Sequence, residues 1–322
     1  MCLVAALTVS AVAVASAFGH AYKEPNAKFS ILANCPASGS VEVTPLGGEP
    51  ETKTAFKCYV GATRVGEGGS YTVGNITVPI TKQIELQGAF TEPLGKTSQE
   101  HRENQRLAPV IPPEDGAPPI IPAAEKVPGE VLGNVTEAEM NEFNWPQGLR
   151  SSYKLAQKHH WFKEGKTTEV IEPAGKDLDY SSEYNILSEE GPGIIANVQI
   201  QGKNLWLESI GGNCQIGSEA DPITQTLTTG ETESPVTHEV MKGTAGLAQL
   251  WDEAQIASLT GVVLVDNTYV VPGAEKCGGP SYEAYVDPVV NKAFGLPAEA
   301  GASKTELVGA LYQATAEAFL NH

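Results

Sequence analysis

Four of the five cysteines carry the most definite chemistry in this chain of 322 residues. Cys35, Cys58, Cys214 and Cys277 form an even set, which predicts disulfides in an oxidising compartment. Three pairings are open, and we favour Cys35 with Cys58 and Cys214 with Cys277, because each pair lies within one structured stretch on its own side of a proline-rich segment. A four-cysteine zinc site is disfavoured, since the chain has no Cys-x-x-Cys.

A second group of candidate ligands consists of oxygen side chains in alternation, at Asp177, Asp179, Ser181 and Glu183. The spacing is that of the first four ligands of a calcium loop. It departs from that loop at Ser182, where the sharp turn normally requires glycine. The acidic residue that a calcium loop has at its twelfth position comes one place late. The segment is therefore a weak calcium candidate, with a solvated turn as the alternative. No other cofactor is predicted.

Catalytic signatures are missing from the sequence. It contains no Gly-x-Ser-x-Gly, no His-Glu-x-x-His and no phosphate-binding loop. His160 and Glu164 have i, i+4 spacing that would suit a metal on a helix, but two ligands make a weak site, and surface polar residues are the alternative. The 39 carboxylates offer many acid pairs for sugar hydrolysis, so their presence favours no assignment.

One basic stretch stands out against an acidic chain with a formal charge of −18. Arg150, Lys154 and Lys158 share a helical face, with Trp161 and Phe162 beside it. This arrangement predicts a contact surface for a cell-wall polymer, another polysaccharide or a second copy of the chain, and an ordinary solvated helix face is the alternative. The overall charge argues against nucleic-acid binding.

The N-terminal segment predicts export. Residues 3–17 are apolar and uncharged and end in Ala15-Ser16-Ala17, a pattern that a signal peptidase cleaves. A buried N-terminal element is the alternative. The run is shorter than the roughly 20 residues that cross a bilayer, so no membrane span is predicted. No Lys or Arg precedes the run, so either the signal is atypical or the true start lies upstream.

Period-two patterns predict strands in the remaining chain. They cover residues 70–88, 193–217, 223–229 and 261–271. Pro79 cannot donate to a β-ladder, so its strand is expected to bend or to lie at a sheet edge. Asp266-Asn267 is expected to break the last of these strands, and residues 303–319 fit a helix or a strand equally.

Between the strands, seven prolines in residues 107–133 predict an extended linker or a surface strap without a central strand. Thr136 and Glu139 have capping-box spacing, which predicts a short helix that ends before Pro146. A second helix is expected over residues 148–164. Of the four tryptophans, Trp206 is assigned to the core and Trp161 is expected to be exposed.

Several stretches together resemble an uncharacterised family of secreted proteins of soil actinobacteria. They are GNITVPITKQIELQG, CQIGSEADPITQTLTTG, DNTYVVPGAEKCGG and DPVVNKAFGLPAEAG. The resemblance runs from about Cys35 to about Gly309 and implies a shared fold and the favoured cysteine pairing. It implies no activity and no site residues.

These observations predict a mainly β protein, an antiparallel sandwich with a few short helices and a proline-rich surface segment. The expected organisation is a signal peptide (1–17), an N-terminal β segment (18–106), the linker or strap (107–133) and a C-terminal β-rich segment (134–322). The two β segments form either one sandwich or two small domains. We expect a secreted protein with a non-enzymatic binding or structural role in the cell envelope or outside the cell. The alternatives are a secreted hydrolase with an unrecognised carboxylate site and a carbohydrate-binding module.

Overall fold

The fold is taken from a computed structural model of the chain. It describes residues 40–43, 51–54, 57–90, 107–111, 120–181, 194–251 and 256–315, in places by backbone alone. The predicted signal peptide, Cys2, Cys35 and Glu183 lie outside these residues.

The described residues form short helices and a larger number of strands. The helices are α1 Glu137–Glu142, α2 Gln147–Lys158, α3 Leu205–Ser209 and α4 Gly279–Phe294. The strands are β1 Ser40–Val43, β2 Glu51–Thr54, β3 Lys57–Thr63, β4 Gly69–Val73, β5 Ile76–Pro79, β6 Glu85–Phe90, β7 Leu107–Ile111, β8 Ile120–Ile121, β9 Ala124–Lys126, β10 Thr168–Ser181, β11 Ile194–Lys203, β12 Cys214–Ile216, β13 Ile223–Leu227, β14 Glu231–Glu233, β15 Val240–Lys242, β16 Leu247–Trp251, β17 Ile256–Asp266, β18 Ala274–Glu275 and β19 Thr305–Thr315. The prediction of a mainly antiparallel β protein with a few short helices is confirmed.

One large sheet contains strands from both the N-terminal and the C-terminal β segments. Its main path runs β16-β17-β19-β3-β6-β7-β10-β11-β12-β18, and β4 and β13 branch from β19 and β11. We call β3, β19 and β17 the first wing and β10, β11 and β13 the second wing. Because β3 and β4 both pair with β19, the N-terminal and C-terminal β segments share this sheet.

The proline-rich segment supplies strands of its own, which corrects the prediction that it excludes a central strand. The first three residues of β7 pair with β10, and its last two pair with β6. Pro109 lies opposite Asp179 of β10 and pairs with that strand alone. Its missing N–H therefore leaves the ladder between β7 and β6 intact and does not abolish the ladder between β7 and β10. This strand links the two wings.

The β4–β5 hairpin follows the sequence prediction closely. Gly74 and Asn75 form its turn, and Gly74 has a φ of 57°, in the left-handed region that glycine adopts freely. Among the described strands β5 pairs with β4 alone, so Pro79 lies at an edge as expected.

The C-terminal segment forms β19, which settles the choice between helix and strand. It has ladders with β17 on one side and with β3 and β4 on the other, and two-sided pairing favours an extended backbone over a helix. A bulge at Gly261, with a φ of 70°, shifts the register between β17 and β19. Such bulges bend and twist a strand, which helps the sheet to curl.

The helices confirm one prediction and correct three. Helix α1 has the complete capping box of Thr136 and Glu139. Helix α2 ends at Lys158, before the expected end, because His160 has a φ of 59° and closes the helix with a turn. Residues 205–209 form α3 where a strand was expected, since the Asn204 side chain accepts a hydrogen bond from the Trp206 backbone and caps a helix. Helix α4 was not predicted.

Candidate functional site

An apolar cavity lies between the two wings of the curled sheet. Its volume is about 80 Å³. A single ordered water needs roughly 10–15 Å³ and two to four polar partners, so the space is large enough for water but chemically unsuited to it. The residues that line it are Gly61, Ala62, Thr63, Ile84, Ile171, Ile194, Ala196, Val198, Gln225, Leu227, Val262, Leu264, Thr305, Leu307, Val308, Gly309, Ala310 and Leu311.

The second wing forms one wall of the cavity, because buried and half-buried residues alternate along β11. In β11, Ile194, Ala196 and Val198 are buried, and the residues between them are half-buried. Successive side chains of a strand point to opposite faces, so these three share the cavity face. Leu227 of β13 lies opposite Ile194 and extends the same wall.

Small residues of the first wing leave the space open. Ala62 of β3 lies opposite Ala310 of β19, and the neighbouring Leu311 lies opposite Gly61. A side chain at Gly309 would collide with the carbonyl oxygen of Ala62, so this position requires glycine. The close approach of β3 and β19 thus excludes larger groups from this part of the wall.

A buried hydrogen-bond network closes the polar side of the cavity. The Gln225 Nε2 atom donates to the Thr305 hydroxyl over 2.9 Å, and that hydroxyl lies 2.9 Å from the Tyr269 hydroxyl. Tyr269 also donates to the backbone carbonyl of Thr72. Burial raises the pKa of Tyr269, so the phenol stays neutral and the network carries no charge.

Two buried glutamates lie opposite each other on β9 and β10, and β10 also contributes Ile171 to the cavity wall. Glu125 of β9 and Glu169 of β10 are directly opposite in the antiparallel ladder, and each is 1% exposed. Side chains of directly opposite residues lie on the same face of a sheet. Glu169 and the cavity-lining Ile171 are two residues apart on one strand and therefore share that face.

The two carboxylates are held in different ways. Glu125 accepts hydrogen bonds from the Thr81 backbone, the Thr81 hydroxyl and the Lys82 backbone. Glu169 accepts one from the Tyr71 hydroxyl over 3.2 Å, and its Oε1 atom has no hydrogen-bond partner among the residues that the structure describes. Burial raises the pKa of Glu169 to about 7, although the bond from Tyr71 opposes the shift. The sequence gives no signal for this pair, because Glu is normally exposed on strands.

The favoured Cys214–Cys277 disulfide is confirmed. It joins β12 to the loop before α4, and both cysteines are buried in the core. The Cys277 backbone donates to the carboxylate of Asp287, in the middle of α4, which ties that helix to the loop that carries the bridge. The partner proposed for Cys58 lies outside the described residues, so that pairing stays a prediction.

The residues of the predicted basic contact surface have different surroundings in the structure than the sequence suggested. Arg150 and Lys154 both form ion pairs with Glu137 of α1, so this one carboxylate offsets part of the positive charge of the expected stripe. The Lys154 hydrogen bond and charge hold the pKa of Glu137 below its usual range. Phe162 is 4% exposed and belongs to the core, so its assignment to a surface was wrong.

Trp161 and Trp206 also have defined positions. Trp161, expected to be exposed, is half-buried, packs on the core and stacks with His159 at 5.8 Å between ring centres. Trp206 is buried as predicted, on a helix where a strand was expected. Trp145 is likewise a core residue.

The metal candidates lie on other backbone elements than the sequence predicted. Asp177, Asp179 and Ser181 lie in strand β10, where the calcium proposal and its alternative both assumed a loop or turn. His160 lies beyond the end of α2, so the helical spacing with Glu164 does not apply. In the part of the chain that the structure describes, no three His, Cys, Asp or Glu side chains converge as a metal site would require.

Comparison with known proteins identifies no relative. No family model, curated protein or solved structure matches the chain. Among the described helices, none combines the length and apolar character needed to cross a membrane.

Proposed function

We propose that this protein is an exported binding protein that holds a small apolar molecule, or the end of an alkyl chain, between the wings of its sheet. The cavity itself is the observation that carries this proposal. Binding would remove the apolar surface of the ligand from water, which contributes about 25 cal/mol per Å². The Cys214–Cys277 bridge supports export, because disulfides persist in oxidising compartments.

A binding role agrees with the cavity better than the hydrolase alternative does. Carboxylate pairs for sugar hydrolysis must reach a bound substrate. No carboxylate of the described residues lines the cavity, and Glu125 and Glu169 are buried. A ligand in this space would meet hydrocarbon and the neutral Gln225–Thr305 pair, so we expect an uncharged ligand.

The proposal is tested by calorimetric titration with n-alkanols of increasing chain length. We expect saturable binding that tightens with each methylene until the cavity is full, with a negative heat-capacity change. Ala196→Leu puts three more carbon atoms into the space and should weaken binding by at least about tenfold, or about 1.4 kcal/mol.

The matched control is Ala302→Leu, the same substitution at an exposed position. It should bind alkanols as the unmodified protein does. Equal binding by Ala196→Leu and Ala302→Leu would place the ligand elsewhere and overturn the proposal.

A further inference from the structure

The hydrogen-bond network beside the cavity runs in one fixed direction. A carbonyl oxygen only accepts, so the Tyr269 hydroxyl gives its single proton to the backbone carbonyl of Thr72 over 3.2 Å. The Thr305 hydroxyl lies 2.9 Å from the Tyr269 hydroxyl and is therefore the donor between the two. Because its proton is used there, Thr305 accepts from Gln225, which turns the amide nitrogen of Gln225 toward it.

This direction determines which atom of the Gln225 amide is left over. The Nε2 atom donates to Thr305, and the amide also acts as a donor toward the Tyr269 hydroxyl. The amide oxygen, Oε1, has no hydrogen-bond partner among the residues that the structure describes. Unlike the Glu169 Oε1 atom, it is not fully enclosed, so a ligand can reach it. Gln225 and Leu227 are two residues apart on β13 and line the same cavity.

The other polar side chains of the cavity wall are already engaged. The Thr63 hydroxyl accepts from the Ile84 backbone over 2.8 Å and donates to the Lys82 carbonyl over 3.4 Å. The Thr305 hydroxyl both accepts and donates within the network. These two threonines and Gln225 are the polar residues of the described lining. Its side chains therefore offer one free acceptor, the Gln225 Oε1 atom, and no free donor.

We propose that the cavity binds an uncharged hydrocarbon carrying a single hydroxyl group, which donates to the Gln225 Oε1 atom while the hydrocarbon lies between the wings. This inference rests on the proposed binding function and names the class of ligand. A carboxylic acid or primary amide would bring a carbonyl oxygen that no lining side chain is free to satisfy. An ether or ketone would offer only an acceptor, and an ammonium group would bury a charge without a counter-charge.

The test compares 1-butanol with its isomer methyl propyl ether, which has the same atoms but no donor. Calorimetric titration gives the ratio of their affinities for the unmodified protein and for Gln225→Met. Methionine has a similar length, and its thioether is only a weak acceptor. We expect the alcohol-to-ether ratio to fall at least about fivefold in Gln225→Met, because the ligand hydroxyl loses its acceptor. A ratio of affinities removes the difference between the two ligands in water.

The matched control is Leu227→Met, which introduces the same side chain two residues away on the same face of β13. It should change the alcohol-to-ether ratio less than about twofold, since leucine and methionine are both apolar. A ratio that stays the same in Gln225→Met, or that falls equally in the two variants, would overturn the inference.

A crystal of the unmodified protein with 1-butanol tests the same point without a variant, and so remains decisive if Gln225→Met does not fold. The hydroxyl oxygen should lie within about 3.2 Å of the Gln225 Oε1 atom. A bound butanol with its hydroxyl directed away from Gln225 would refute the hydroxyl assignment and leave apolar binding intact. Absence of both ligands from the cavity would instead refute the proposed function, and this inference with it.

Discussion

The aromatic cluster and the apolar cavity are two interior regions of the same protein with opposite packing. In the cluster, the rings of Trp145, Tyr153, Phe162 and Trp206 contact one another with centres 5.0–5.9 Å apart. The cavity wall contains no aromatic residue and is built from small and branched side chains. Protein interiors normally have few voids larger than a water molecule. The chain thus packs one region with aromatic rings and forms a cavity in the other, as expected if folding depends on the cluster and binding on the cavity.

Truncation in the aromatic cluster should have the largest effect. Trp206 is 1% exposed and contacts Trp145, Tyr153 and Phe162. We expect Trp206→Ala to reduce the free energy of unfolding by about 4 kcal/mol, the usual cost of removing a buried aromatic ring. Urea denaturation measures the change.

Truncation in the cavity wall is the matched comparison. Leu227→Ala should cost about 2 kcal/mol, at the low end for buried leucine, because part of the side chain already faces empty space. A loss as large as that of Trp206→Ala would show that the cavity is packed in solution, and would remove the contrast between the regions.

The pH dependence of stability tests the interior next to the cavity. Burial raises the pKa of Glu169 from its ordinary 4.5 to about 7. Between these values the folded protein holds a proton that the unfolded chain has released, so stability falls as pH rises through this window. The fall should amount to about 3 kcal/mol between about pH 5 and about pH 8.

Glu169→Gln should remove most of this fall, since a neutral amide has no charge to bury. Asp266 and Asp287, whose pKa values are also raised by burial, should leave a smaller remainder of the same sign. The control is Glu299→Gln at an exposed position, which should retain the full dependence. A steep fall that persists in Glu169→Gln would contradict the assignment.

Replacing alanine by leucine, once in each region, should have the smallest effect on stability but should distinguish the two regions most specifically. Ala156 of α2 is fully buried beside Leu149 and Tyr153 in the core, whereas Ala196 faces the cavity. We expect Ala156→Leu to cost about 1–3 kcal/mol through overpacking. Ala196→Leu should change stability by less than about 1 kcal/mol, because its extra carbons enter vacant space. Thermal unfolding of both variants measures the difference, and equal destabilisation would count against an open cavity.

Local signals predicted local structure well. The capping box at Thr136 and Glu139 and the edge position of Pro79 each depend on nearby residues. The Cys214–Cys277 bridge is not local and was favoured because both cysteines lie on one side of the proline-rich segment. Trp206 shows the limit of this approach. The alternation of apolar residues around Trp206 is typical of a strand. The Asn204 side chain instead caps a helix, and a period-two pattern does not reveal such a cap.

Local sequence patterns could not predict the candidate site, because segments that are far apart in the sequence form it. The cavity needs small residues of β3 and β19 to face alternating residues of β11, and no window of sequence contains all three. The basic surface that the sequence indicated also depends on the fold, since Glu137 of α1 pairs with Arg150 and Lys154 of α2.

Xenon binding in a crystal tests the central claim most directly, because xenon occupies empty apolar cavities without needing a polar partner. A crystal of the protein under xenon pressure should show a bound atom between Ala196, Leu227 and Leu264, and a crystal of Ala196→Leu should not. Side chains filling that space, with no xenon between the wings, would contradict the account.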